Sequence, residues 1–182
     1  MRALTAALVA LSTGTGASVA ASGSAAPAVR YESAFTTLEP AQCRALADGP
    51  DGSVRECPGR DGVRVRLAEQ DVQRWLLLQA GHDETDLRVV ITGTFRPDST
   101  PHRVATPLEW RYRIDGERRE LVALIIRVTG DAGAAPQLTV LRATPEGAFC
   151  VITAAVPTAA AAHEYADGPT VCHWTIHRRR TT

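Results

Sequence analysis

Four cysteines, Cys43, Cys57, Cys150 and Cys172, constrain the fold of this 182-residue chain more than any other feature. No two of them stand in a C-x-x-C spacing and no two-plus-two knuckle exists, so a zinc site or a redox pair has no sequence basis. Two disulfides are the expected use. Four cysteines allow three connectivities, and the partners nearest along the chain give Cys43 with Cys57 and Cys150 with Cys172. Each bridge then closes a short loop, worth about 3 kcal/mol of denatured-state entropy. Together they rival the net stability of an ordinary domain, about 5 to 15 kcal/mol.

The start of the chain says where such bridges form. Met1 and Arg2 precede an apolar run from Ala3 to Leu11 and a small-residue stretch ending near Pro27, the three-part pattern of a secretory signal. The run is too short to span a membrane, which takes roughly 20 apolar residues. Residues 1–20 are expected to be removed, with the cut as late as 28. Residues 21–30 then read as a linker, 31–177 as a single domain and 178–182 as a basic tail built on Arg178, Arg179 and Arg180. Export to the periplasm or beyond the cell places the thiols where they oxidise.

Composition removes several function classes. All 20 basic residues are Arg, with no Lys and no Asn anywhere, a bias that G/C-rich codons explain better than selection for guanidinium chemistry. They face 20 acids. Loss of Arg2 with the leader leaves 19 Arg and a formal charge of minus one, so the chain gains no long-range steering toward polyanions and no nucleic-acid partner is expected. Collagen, coiled coil and wholly disordered chains are excluded on composition. Roughly 150 ordered residues bury about 70 % of the surface that the unfolded chain exposes, enough for one core.

Period-2 alternation dominates the body of the chain. Val63, Val65 and Leu67 alternate with Arg64 and Arg66, and Leu108, Trp110, Tyr112 and Ile114 alternate with Glu109, Arg111 and Arg113, which puts apolar side chains inward and charges outward on half-buried strands. Asp115-Gly116 signals a hairpin, and Glu120 to Thr129 is apolar enough to be buried on both faces. Tyr31–Thr36, Ser53–Cys57, Leu87–Phe95, Leu138–Leu141 and Phe149–Val156 also read as strands, the last two joined across Pro145-Glu146-Gly147. Asp71–Ala80 fits a helix or a buried strand equally, Cys57-Pro58-Gly59-Arg60 reads as a turn, Gly81–Asp86 as a solvated loop and Ala159–Ala166 as a short helix. These signals predict a mainly β domain, an antiparallel sandwich- or barrel-like sheet with a short C-terminal helix, and α+β as second choice.

Cys43, the Glu56-Cys57-Pro58-Gly59 step, Ala68-Glu69-Gln70-Asp71, Thr94-Phe95, Leu108-Glu109-Trp110-Arg111 and the Ala-rich segment between Cys150 and Cys172 together make the chain resemble a family of small exported alphaproteobacterial proteins with two cysteine pairs and no assigned activity. The likeness spans most of the mature chain. It departs near the end, where the Ala-rich segment is short and His173 and Trp174 follow Cys172. The resemblance implies export and disulfides and lends no catalytic residue.

Chemistry-bearing constellations are sparse. His82, Asp83, Glu84 and Asp86 crowd one segment without the ligand register of a calcium loop. No G-x-S-x-G elbow occurs, and His163-Glu164 lacks the second histidine of H-E-x-x-H. His173 and His177 would share a face if the tail were helical, with no third ligand nearby. The best candidate is a charged sheet surface of Arg64, Arg66, Glu109, Arg111 and Arg113, suited to carboxylate or phosphate if the strands are neighbours. The leading expectation is therefore a non-enzymatic exported module that binds an envelope protein or polymer, without cofactor, metal or transmembrane segment. Alternatives are an envelope hydrolase drawing on His82, Asp83, His102 and Glu109, and a structural protein that self-associates through a sheet edge.

Overall fold

A computed structural model of the chain describes residues 28–92, 103–130, 135–144, 148–169, 171–176 and 178–180. The leader pattern, His102, His177 and the Pro145-Glu146-Gly147 turn lie outside the described residues. After β1 (Arg30–Thr36) and a 3-10 turn (Pro40–Gln42), a meander runs through β2 (Arg44–Gly49), β3 (Gly52–Arg60), β4 (Val63–Gln70), β5 (Gln73–Ala80) and β6 (Asp83–Asp86). A short helix α1 (Arg88–Thr92) precedes a second meander, β7 (Arg103–Asp115), β8 (Arg118–Thr129), β9 (Gln137–Ala143) and β10 (Phe149–Val156). Helix α2 (Ala159–Asp167) follows, then β11 (Trp174–Thr175) and β12 (Arg178–Arg180).

The pairings make one large, mostly antiparallel sheet with two arms. β1 returns to pair β7 from Arg30↔Ile114 to Thr36↔Leu108. A single parallel bridge, Arg74↔Arg103, joins β5 to the start of β7. The arms face each other across a common core. Val65 and Leu67 of β4, Leu76 and Leu78 of β5, Trp110 and Tyr112 of β7, and Leu124 and Ile126 of β8 belong to one buried cluster, so the sheet is folded on itself in the manner of a sandwich and is not a closed barrel. Strand β8 is buried on both faces, as its unbroken apolar run requires. Its Ala123 and Ile125 point the other way, into a second cluster with Leu138, Val140, Ile152 and Val156, roofed by Ala162 and Ala166 of α2. That helix is capped by Thr158, whose side chain accepts from the Ala161 N–H.

Several local expectations need correction. Leu87–Phe95 is not a strand in its described part: Asp86 Oδ1 accepts from the Arg88 N–H at 2.8 Å, and Leu87, Val90 and Ile91, all buried, follow helical rather than alternating spacing. Gly81–Asp86 is not a solvated loop, because residues 83–86 add to the edge of β5 as β6 and bury Thr85. Cys57-Pro58-Gly59-Arg60 lies within β3, where the register shifts between Cys57↔Val65 and Arg60↔Val63. Gly and Pro mark a bulge here. A Cβ on Gly59 would stand 1.9 Å from the Val63 carbonyl oxygen, while the reversal itself falls at Asp61 and Gly62, both with positive φ. The ambiguous Asp71–Ala80 resolves to strand β5, and β7 begins at Arg103, ahead of the alternating run. Pro107 sits where the β7–β8 ladder is irregular, between Ala105↔Arg127 and Glu109↔Ile125, as a residue without an N–H must.

Both disulfides have the expected pairing, Cys43–Cys57 and Cys150–Cys172, and suit an oxidising environment. The first ties the segment before β2 to β3. The second ties β10 to the stretch that follows α2. Beyond it β11 pairs with β10 on one arm and β12 with β6 on the other, so the expected basic tail is, over Arg178–Arg180, a strand. Between these two short strands Ile176 enters the common core. Among the described residues, no ladder joins the two sheet margins at this seam, and they are linked along the chain through β11, Ile176 and β12. The backbone at Trp174–Thr175, next to His173, is extended and not helical.

Candidate functional site

On β7 the odd-numbered residues from Glu109 to Arg113 point away from the core that takes Trp110 and Tyr112, and β1 presents Tyr31 and Ser33 opposite Arg113 and Arg111. Helix α2 reaches this outer face. Its His163 and Asp167, four residues apart, lie on one side of the helix. Arg111 donates from Nε to Asp167 Oδ1 at 2.8 Å and from Nη2 to Oδ2 at 2.6 Å, a bidentate, charge-assisted pair. Its Nη1 donates to Ser33 Oγ at 3.0 Å. The Arg111 pKa is raised above its ordinary value by the hydrogen bond to Asp167, against the opposing effect of burial. Glu109 Oε1 accepts from Ser33 Oγ at 2.5 Å and meets His163 Nε2 at 2.7 Å. The Tyr31 hydroxyl donates to the Asp167 carbonyl at 2.9 Å.

Chemically the cluster holds more readily than it attacks. A serine nucleophile needs a base on its own hydroxyl and, in the usual arrangement, a histidine there. Here the Ser33 proton is directed at a carboxylate that the histidine also engages, and a guanidinium donates to the serine oxygen. The contacts of Asp167 with Arg111 and Tyr31 and of His163 with Glu109 fasten α2 across β1 and β7. Beyond the C-terminal end of the helix an open groove of about 540 Å³ remains, with Tyr31, Arg113, Glu120, Arg142 and Asp167 among its walls. Arg142 Nη2 donates to the Gly168 carbonyl at 2.7 Å, and Arg113 pairs with Asp115 at 3.3 Å on the surface.

The predicted charged surface divides. Glu109, Arg111 and Arg113 share the outer face of one arm, with the first two engaged in the cluster. Arg64 and Arg66 lie on the outer face of the other arm, where Arg66 pairs with Glu84 of β6 at 3.1 Å and Arg64 is exposed. Of the residues considered for hydrolysis, Glu109 alone is brought to the cluster; His82 precedes β6, Asp83 begins it, and His102 lies outside the described residues. Sequence reasoning missed Tyr31, Ser33, His163, Asp167 and Arg142. The i, i+4 spacing of His163 and Asp167 was a usable signal for one face, but the strand beneath that face depends on the β1–β7 pairing.

A second polar knot sits on the core-facing side of β7, at Tyr112. The Tyr112 hydroxyl donates to Asp61, and the Arg119 guanidinium lies 3.5 Å from the Tyr112 ring centroid and 3.8 Å from Asp61 Oδ1. Burial, then the hydrogen bond and charge of Asp61, push the Tyr112 phenol up to about 12. Among the described residues no group of three or more His, Cys, Asp or Glu could hold a metal ion, and no helix is long and apolar enough to cross a membrane. Comparison with protein-family models, with curated proteins and with solved structures found no match.

Proposed function

We propose that the protein is a non-enzymatic exported module that binds a protein or polymer of the cell envelope, in the periplasm or outside the cell, through the groove beside the end of α2. The observation that carries this reading is the division of labour among the arginines. Arg111 is spent on Asp167, whereas Arg113 is held by an exposed pair with Asp115, of a kind worth only about 0 to 1 kcal/mol and readily exchanged. A carboxylate- or phosphate-bearing polymer gains a bidentate contact there. Two disulfides support the exported setting.

The test is capture of envelope components on the immobilised, oxidised full chain. Arg113→Glu is expected to abolish capture, and Arg64→Glu, on the other arm, to leave it intact. Absence of capture, or loss with Arg64→Glu alone, would overturn the proposed face. One observation favours a second reading, hydrolysis: a histidine and a carboxylate stand within hydrogen-bond reach, His163 and Glu109. Turnover of an envelope polymer by the purified protein, lost in His163→Ala with the fold retained, would select it over binding.

A further inference from the structure

The two disulfides differ in both access and surroundings. Cys43 and Cys57 are 8 % and 4 % exposed and belong to the common core. Cys150 is buried at 3 % within β10, whereas Cys172 is exposed, between exposed Val171 and His173. One sulfur of the second bridge therefore belongs to an open segment and the other to the sheet. Exposed disulfides are the ones that exchange readily with external thiols.

What this bridge retains is the seam. Among the described residues from Cys172 to Arg180, the chain meets the sheet through the His173 N–H, which donates to the Val151 carbonyl at 2.9 Å, a two-residue strand on β10, a three-residue strand on β6 and the side chain of Ile176. Strands this short have little stability of their own. Without the covalent tie their pairing has to offset the full ordering entropy of the segment, which is about 1 to 2 kcal/mol per residue for the backbone.

We propose that Cys150–Cys172 is a thiol-exchange site, open at Cys172 Sγ to an external dithiol, and that its reduction releases the C-terminal strap from both sheet margins while Cys43–Cys57 stays oxidised. A thiolate of the dithiol attacks Cys172 Sγ, forming a mixed disulfide and expelling Cys150 as a thiolate. The second thiol of the reagent then attacks its own sulfur in the mixed disulfide, so the dithiol leaves oxidised and Cys172 leaves as a thiolate. Two electrons pass to the protein, and each new thiolate takes a proton according to pH. The released strap uncovers the edges of β10 and β6, the two margins it had bridged. This site is independent of the binding role proposed above.

The experiment uses the oxidised full chain with graded dithiothreitol and no denaturant, quenched by alkylation and mapped by mass spectrometry. Cys150 and Cys172 are expected to become alkylated at least about tenfold faster than Cys43 and Cys57, the direction that exposure dictates. Trypsin cleavage after Arg178 and Arg179 is expected to accelerate in step with loss of Cys150–Cys172. The double variant Cys150→Ser, Cys172→Ser is expected to show the same tryptic sensitivity with Cys43–Cys57 intact. Simultaneous reduction of both bridges, earlier reduction of Cys43–Cys57, or a strap as protected after reduction as before would overturn the proposal.

Discussion

Trp110 is fully buried, with Nε1 donating to Thr36 Oγ1 at 3.0 Å, on the core-facing parity opposite Arg111. Trp110→Ala is expected to cost about 3 to 5 kcal/mol in chemical denaturation, as for other buried large-to-small changes. Tyr112 was assigned inward by the same parity, but its partner Asp61 was not legible, because that contact depends on a turn meeting a strand 51 residues away. The phenol pKa rises from 10.0 in the ordinary state to about 12 in the fold. A raised pKa means that the folded state holds the proton more tightly, so its stabilising effect is complete below pH 10 and is lost as pH rises toward 12. Denaturation midpoints of the native protein should fall across that window more steeply than those of Tyr112→Phe; identical slopes would show that the phenol does not contribute.

Among the elements, an apolar run identified β8, and alternation identified β4 and β7, each with one plainly apolar face. It misjudged residues 83–86 and 88–92, where neighbours decide: an edge position beside β5 makes a polar segment a strand, and three apolar residues at helical spacing make a β-branched segment a turn of helix. The buried contribution of α2 is only Ala162 and Ala166, so polar contacts do much of the fastening. Arg111 and Asp167 side chains are 12 % and 23 % exposed, so Asp167→Ala leaves a partly buried guanidinium without its paired carboxylate and with Ser33 as its remaining hydrogen-bond partner. That change is expected to cost about 2 kcal/mol, in the range for charged hydrogen bonds. In a double-mutant cycle, Arg111→Met with Asp167→Leu should recover much of the loss. On the other arm, Gly59→Ala forces a Cβ against the Val63 carbonyl and is expected to lower stability by about 1 to 3 kcal/mol, read as a shift in thermal midpoint.

For the whole molecule, cysteine spacing gave the pairing and periodicity gave the class, but strand order was hidden. Nothing local says that β1 passes five strands to join β7, or that Arg64 and Glu109 face opposite directions. The candidate surface was therefore legible as residue types and not as a place. Replacing both Cys43 and Cys57 by Ala should lower stability by about 3 kcal/mol through the loop released in the denatured chain, measurable by equilibrium denaturation with the m-value as a check on compactness.

The long-range marriage of β1 and β7 has a temporal meaning. Residues 30–36 find their described ladder partner only at residues 108–114, so a chain emerging amino end first has nothing to zip this strand against until nearly two thirds of its length is out. High separation of this kind slows folding. The groove walled by Tyr31 and Arg113 is accordingly among the last features to mature, and a nascent or threaded molecule is blind to any ligand there until assembly is almost over.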